Sequence, residues 1–159
     1  MLVWVLGGLV SCWVLVVAGM LARNAPPLFD PPGPARRLAT YLFSNTAQTS
    51  ADSVFPELRS RRFALSAQRM LPLLAAAARD AGLEQVRTDE SAGAVEAVAV
   101  TALGFRDDVR LRVISDGDGS VVDAISSSRM GRGDLGANQR HLREVFAALQ
   151  TRAVEAAAR

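Results

Sequence analysis

Lysine is absent from this chain: all 18 basic residues are arginine. Together with abundant alanine, glycine and valine, that points to a GC-rich bacterial genome, an inference from codon usage. Cysteine occurs once, at Cys12, inside an apolar run and without the context of a lipidation site, so the rest of the chain has no disulfides. Histidine also occurs once. His141 has no cysteine or second histidine beside it, which argues against a zinc site, and no metal or other cofactor is expected. Blocks of like charge are missing too. The net charge is +2, and arginines and acids are interspersed, so the footprint of a nucleic-acid partner is not there. Finally, residues 2–22, LVWVLGGLVSCWVLVVAGMLA, carry no charged side chain at all.

At about 1.5 Å of rise per helical residue, that run reaches about 30 Å, the thickness of a bilayer's hydrocarbon core. It reads as one retained transmembrane helix over residues 1–23. A cleaved secretory signal fits less well. Such signals open on positive charge, run shorter and end at a small-x-small site, which Met20-Leu21-Ala22-Arg23-Asn24-Ala25-Pro26 does not provide. Arg23, Arg36 and Arg37 follow the helix and no basic side chain precedes it. The positive-inside rule then puts the C-terminal side in the cytoplasm, with a periplasmic placement left open. The expected location is a bacterial inner or intracytoplasmic membrane, with the lipid bilayer itself as a partner. Gly7, Gly8, Ser11, Ala18 and Ala22 fall near one side of the helix, where small residues let another helix approach.

Residues 24–37, NAPPLFDPPGPARR, hold five prolines. Proline removes donors and disfavours helix before it, so residues 24–60 are expected to be an extended linker. Leu38 to Leu58 nevertheless carries Tyr41, Phe43 and Phe55. These either pad the domain's own surface or lie on a partner.

An α+β domain is expected over residues 61–159. Arg62 to Leu65 reads as a first strand. Ser66 can cap a helix on which Met70, Leu71, Leu74, Ala77, Ala78 and Ala81 recur at helical spacing. Pro72 suggests a kink or a start near Leu71, and Gly82 marks the end. Further strands are read at Gln85–Thr88 and Ala94–Leu103. Val109-Arg110-Leu111-Arg112-Val113 alternates as a half-buried strand should. Asp116-Gly117-Asp118-Gly119 is a hairpin turn leading into Ser120–Ser127. Its likeness to a calcium loop fails at Val121 and Ser127, which stand where glycine and glutamate are needed. The last helix spans about Asn138 to Ala157. The order β-α-β-β-β-β-α implies an antiparallel sheet with both helices on one face.

Two segments carry a signature: Phe105-Arg106-Asp107-Asp108-Val109-Arg110-Leu111-Arg112-Val113, and Val122 to Asn138, VDAISSSRMGRGDLGAN. With Phe55-Pro56-Glu57-Leu58 upstream, they resemble the bacterial and plastid family catalogued as domain of unknown function 1499, over roughly residues 38–150. The resemblance implies a small α+β module, often attached to a membrane segment or export signal, with no assigned activity. Family members often carry arginine where this chain has Ile125.

Ser126, Ser128, Arg129, Gly131, Arg132, Gly133, Asp134, Gly136 and Asn138 lie on a strand end and a glycine loop that enters a helix. Amides, hydroxyls, arginine and helix dipole there would suit an anion, or a partner. The alternative is structural. Arg129 would pair with Asp107, Asp108 or Asp134 to pin the loop, and Asp134 or Asn138 would cap the helix. Asp107 and Asp108 form an adjacent acidic pair whose side chains face opposite ways on a strand, unsuited to acid–base work. His141 is expected on a solvated, arginine-rich helical face, with no serine beside it to activate. The sequence therefore points to a non-catalytic single-pass accessory subunit of a membrane protein complex, by analogy a respiratory or photosynthetic one. It would contact other membrane subunits through the transmembrane helix and linker. The alternative is a membrane-tethered module binding an anionic ligand or lipid headgroup at residues 126–136.

Overall fold

The computed structural model describes residues 2–101 and 103–158, apart from the side chains of residues 2–6 and 9. The outer ends of the expected spans at Met1 and Arg159, and Ala102 within an expected strand, lie outside the described residues. Four helices and six strands follow in order: α1 (Leu2–Asn24), α2 (Pro34–Phe43), β1 (Thr46–Gln48), a 3-10 turn (Pro56–Leu58), β2 (Arg61–Phe63), α3 (Ala67–Asp80), β3 (Glu84–Asp89), β4 (Ala94–Val100), β5 (Arg106–Asp116), β6 (Gly119–Ser128) and α4 (Ala137–Ala157). From residue 61 onward this is the expected β-α-β-β-β-β-α order. All pairings in the sheet are antiparallel, in the order β1-β6-β5-β4-β3, with β2 pairing β6 beside β1.

The two-residue period decides which face is covered. Val109, Leu111 and Val113 of β5, Val122 and Ala124 of β6, and Val95 and Ala97 of β4 point into one core. Onto them α3 lays Met70, Leu74, Ala77 and Ala78, and α4 lays Leu142, Val145, Phe146 and Leu149. The other face of the sheet mixes charged residues with aliphatic ones such as Val98 and Ile125, with Arg110 and Glu96 paired across β5 and β4 at 2.7 Å. Pro72 sits inside α3 without ending it, because the buried stripe on both sides of it holds the helix to the sheet. Ser66 occupies the N-cap position of α3 but makes no side-chain cap hydrogen bond.

Two expectations are corrected. Among the described residues no helix is long and apolar enough to cross a membrane. This overturns the transmembrane helix over residues 1–23, and with it the single-pass placement in a bacterial inner or intracytoplasmic membrane and the orientation argued from it. The C-terminal end of α1 is instead built onto the domain. Buried Asn24 donates to the Leu135 carbonyl at 2.8 Å, and Arg143 donates to the carbonyls of Asn24 (2.7 Å) and Ala25 (3.1 Å).

Residues 24–60 are likewise no extended linker, since they supply α2, the 3-10 turn and β1. Pro34 starts α2, where its missing N–H costs nothing. β1 adds an outer strand against the C-terminal half of β6, Thr46 facing Ser127 and Gln48 facing Ile125. Tyr41 and Leu58 are buried and Phe55 packs on the core, whereas Phe43 is exposed.

Candidate functional site

The signature segments meet at one end of the sheet, where β5 begins, β6 ends and α4 starts. Asn138, fully buried, is the hub. Its Oδ1 accepts from the Ser126 hydroxyl at 2.5 Å, and its Nδ2 donates to the Asn45 carbonyl (2.8 Å) and to Ser128 Oγ (2.9 Å). One side chain thus ties α4 to β6 and to the residue preceding β1. Asn138 does not cap the helix. The N-cap position is Gly136, and Asp134, two residues before it, serves the helix start, its carboxylate accepting from the backbone N–H groups of Gly136 (2.8 Å) and Asn138 (3.1 Å). Burial pushes the Asp134 carboxyl above the usual range, and these hydrogen bonds offset part of that.

That arrangement bears on the anion reading. The backbone donors that an incoming anion would use at the start of α4 already hold the chain's own carboxylate. Arg129 is also engaged, gripping Asp108 with Nε at 3.1 Å and Nη2 at 2.6 Å, and this contact holds the Asp108 carboxyl below its ordinary value. Of the three acids open to Arg129, the structure selects Asp108, and the pair lies in solvent at 47% and 59% side-chain exposure. Arg132 is exposed at the loop tip. Arg129→Ala should therefore cost at most about 1 kcal/mol in a denaturant titration, and Arg132→Ala less than about 0.5. A loss of several kcal/mol at Arg129 would mean that the pair is held far more rigidly than an exposed one.

Asp107 and Asp108 point to opposite faces, so Asp107 is buried. Its partner corrects an expectation. His141 is not solvated; it is buried against Asp107, with Nε2 and Oδ2 3.1 Å apart. A carboxylate only accepts, so Nε2 carries the proton. Burial would raise the Asp107 carboxyl, but hydrogen bonds from His141 and Ser128 outweigh it and leave the group below the usual range. Among the described residues no cluster of three or more histidines, cysteines and acids could hold a metal ion.

The loop glycines are used for close approach. Gly133 lies so near the Leu42 and Tyr41 carbonyls that a Cβ would collide with them. Gly136, at φ +84°, turns the chain into α4 beneath Tyr41 and Pro26. Gly131 offers its carbonyl to Asn45 Nδ2 at 2.8 Å. On α1, Gly7, Gly8, Ser11, Ala18 and Ala22 are exposed, and Ser11 Oγ donates to the Gly7 carbonyl.

The most heavily bonded residue is one that the sequence reading places only as a charge flanking the apolar run. Arg37 is fully buried. It donates to both carboxylate oxygens of Glu57 (2.6 and 3.0 Å), to Tyr41 Oη (2.9 Å) and to the carbonyls of Asp30 (3.0 Å) and Pro31 (2.6 Å), with its guanidinium 5.1 Å from the Phe55 ring centre. Its hydrogen bond to Glu57 raises its already high pKa. Tyr41 passes the chain on by donating to Gln139 Oε1 at 3.0 Å. Glu57 lies in the Phe55–Leu58 segment of the signature, the one signal that could have pointed here.

The sequence profile described as "Protein of unknown function (DUF1499)" matches residues 37–149. That span runs from Arg37 through Leu149 of α4, so α2, β1 and the 3-10 turn belong to the same unit as the sheet. No curated protein matches the chain. Among solved structures, the crystal structure of TTHA0849 from Thermus thermophilus aligns over 70% of this chain and 98% of its own, at 12% identity and a TM-score of 0.40. The match across the signature segments and the Arg37–Glu57 region is the finding that places the protein: the chain belongs to the DUF1499 family.

Proposed function

We propose that the chain is a non-catalytic accessory subunit of a larger protein assembly and that it docks through α1. The observation carrying this is the exposed apolar face of that helix: Val10, Trp13 and Val14 are 63%, 64% and 52% accessible. Exposed apolar side chains gathered on one face mark an interaction surface. On the same side, Gly7, Ser11 and Ala18 recur at helical spacing and leave room for a second helix to come close. The bonds from Asn24 and Arg143 fix the base of α1 to the domain, so a partner held by α1 would be held in register with it. Absence of catalysis is supported by the signature end. The Ser126 and Ser128 hydroxyls are bonded to the Asn138 carboxamide, and the lone imidazole of His141 to the buried Asp107 carboxylate.

The test is migration of the native chain after mild extraction from its source cells. The parent should run within a large assembly at fixed stoichiometry. Val10→Glu with Val14→Glu should release it as a small particle, with stability changed by no more than exposed substitutions allow, about 0.5 kcal/mol. A parent that migrates alone, or a double variant still held in the assembly, would overturn the reading.

A further inference from the structure

The side of α1 opposite the docking face borders a groove. Two adjoining hollows of about 230 and 350 Å³ share Met20, Thr101, Leu103 and Ala137. Their walls are apolar, from Leu15 and Val16 of α1 through Leu103 to Phe105, Met130 and Leu135. Leu103 and Met130 stand 63% and 72% exposed along it. The two ends differ in charge. Asp107 and Asp134 lie at the inner end. Arg23 and Arg140 lie at the outer end, beside Asn24. Arg140 is poorly matched there. Its Nε is buried with no hydrogen-bond partner, and its Nη1 reaches Glu144 only at 3.4 Å.

We infer that this groove binds a single-chain fatty-acid carboxylate, with the head on Arg23 and Arg140 and the acyl chain along Met20, Leu103, Phe105 and Met130. The polarity follows from charge: the acids at the inner end repel an anionic head, and the guanidinium groups of Arg23 and Arg140 at the outer end attract one. The occupant's body follows from the apolar run of Leu15, Val16, Met20, Leu103, Phe105 and Met130, which suits an acyl chain. The inference is independent of the docking role of α1, which uses the other side of the helix.

Isothermal titration of the full chain with dodecanoate, below its micelle concentration, tests it. Dodecanol and dodecylammonium are the comparators. Saturable one-to-one binding is expected, about ten-fold or more tighter for the carboxylate. Each added methylene should tighten binding about four-fold, the equivalent of ~0.8 kcal/mol. Gly19 offers a clean block, because it lines the groove and no atom lies within 4 Å of where its Cβ would stand. Gly19→Leu should weaken binding about ten-fold or more at an unchanged thermal midpoint. Arg23→Gln with Arg140→Gln should reduce dodecanoate affinity to that of dodecanol. The inference fails if no saturable binding occurs, if dodecanol binds as tightly as dodecanoate to the parent, or if Gly19→Leu binds normally. It fails equally if the chain retains only anionic phospholipid vesicles, or only a protein partner in the groove.

Discussion

Glu57→Ala should destabilise the protein by about 3–5 kcal/mol, the range for breaking a buried ion pair by removing one partner. The substitution removes little packing. It leaves the Arg37 guanidinium, with no exposed surface, facing two backbone carbonyls and a phenol but no counter-charge. An arginine cannot escape by giving up its proton, so the cost falls on the folded state. At about 2–4 °C per kcal/mol for a chain of this size, the thermal midpoint should fall by about 6–20 °C. Glu57→Gln keeps an acceptor and should lose less. Replacing both partners, Arg37→Leu with Glu57→Leu, should recover much of the loss, because no charge is then left unpaired. A fall below about 1 kcal/mol in Glu57→Ala would mean that water reaches the guanidinium, and that α2 is not clamped in the way described.

The parts of the fold that sequence reveals are those whose cause is local. The alternation of Val109 to Val113 is the two-residue period of a strand with one buried face, and Met70, Leu74, Ala77 and Ala78 repeat with the turn of a helix. Strands extend beyond their apolar stretch where polar residues pair in the ladder: Asp107 faces Ser128, and Asp116 faces Gly119. What stays hidden depends on distant partners. α2 and β1 lie beyond a proline-rich stretch that locally favours extended chain, and partners distant in sequence, among them Glu57, Gln139, the signature loop and β6, fix them in place. Arg37 acquires its meaning only from Glu57, 20 residues on. His141 reads as solvated because its neighbours in sequence are arginines. Its position on α4 turns it inward, onto a carboxylate 34 residues away. The glycines and arginines of the signature loop mark where it lies. Asp134 is one of two residues that local sequence offers for the start of α4; that Asn138 instead turns inward to Ser126, Ser128 and Asn45 depends on partners that local sequence does not show.

The second large effect is expected at Gly133. Gly133→Ala should cost about 3 kcal/mol or more, at or beyond the upper end of ordinary overpacking. The obstacle is backbone, not a side chain that could rotate away: an added Cβ meets the Leu42 carbonyl and then that of Tyr41. Neither segment is free to retreat. The loop is tied to α2 by Leu135 N–H to the Tyr41 carbonyl (2.9 Å) and to the residue after α2 by Asp134 N–H to the Ser44 carbonyl (3.2 Å). On the other side α2 is anchored by Arg37 and Tyr41. The methyl group must break those two bonds or push α2 off the sheet, and either route exposes Tyr41. Hydrogen exchange separates the local event from the global one. The Leu135 amide should lose protection first, while amides in the central β5–β6 ladder stay protected up to the lowered global stability. Arg132→Ala, one residue away, should leave both readings unchanged. If Gly133→Ala keeps the parent's midpoint and its Leu135 protection, the loop is not seated against α2, and the signature glycines would have to be explained by something the loop binds.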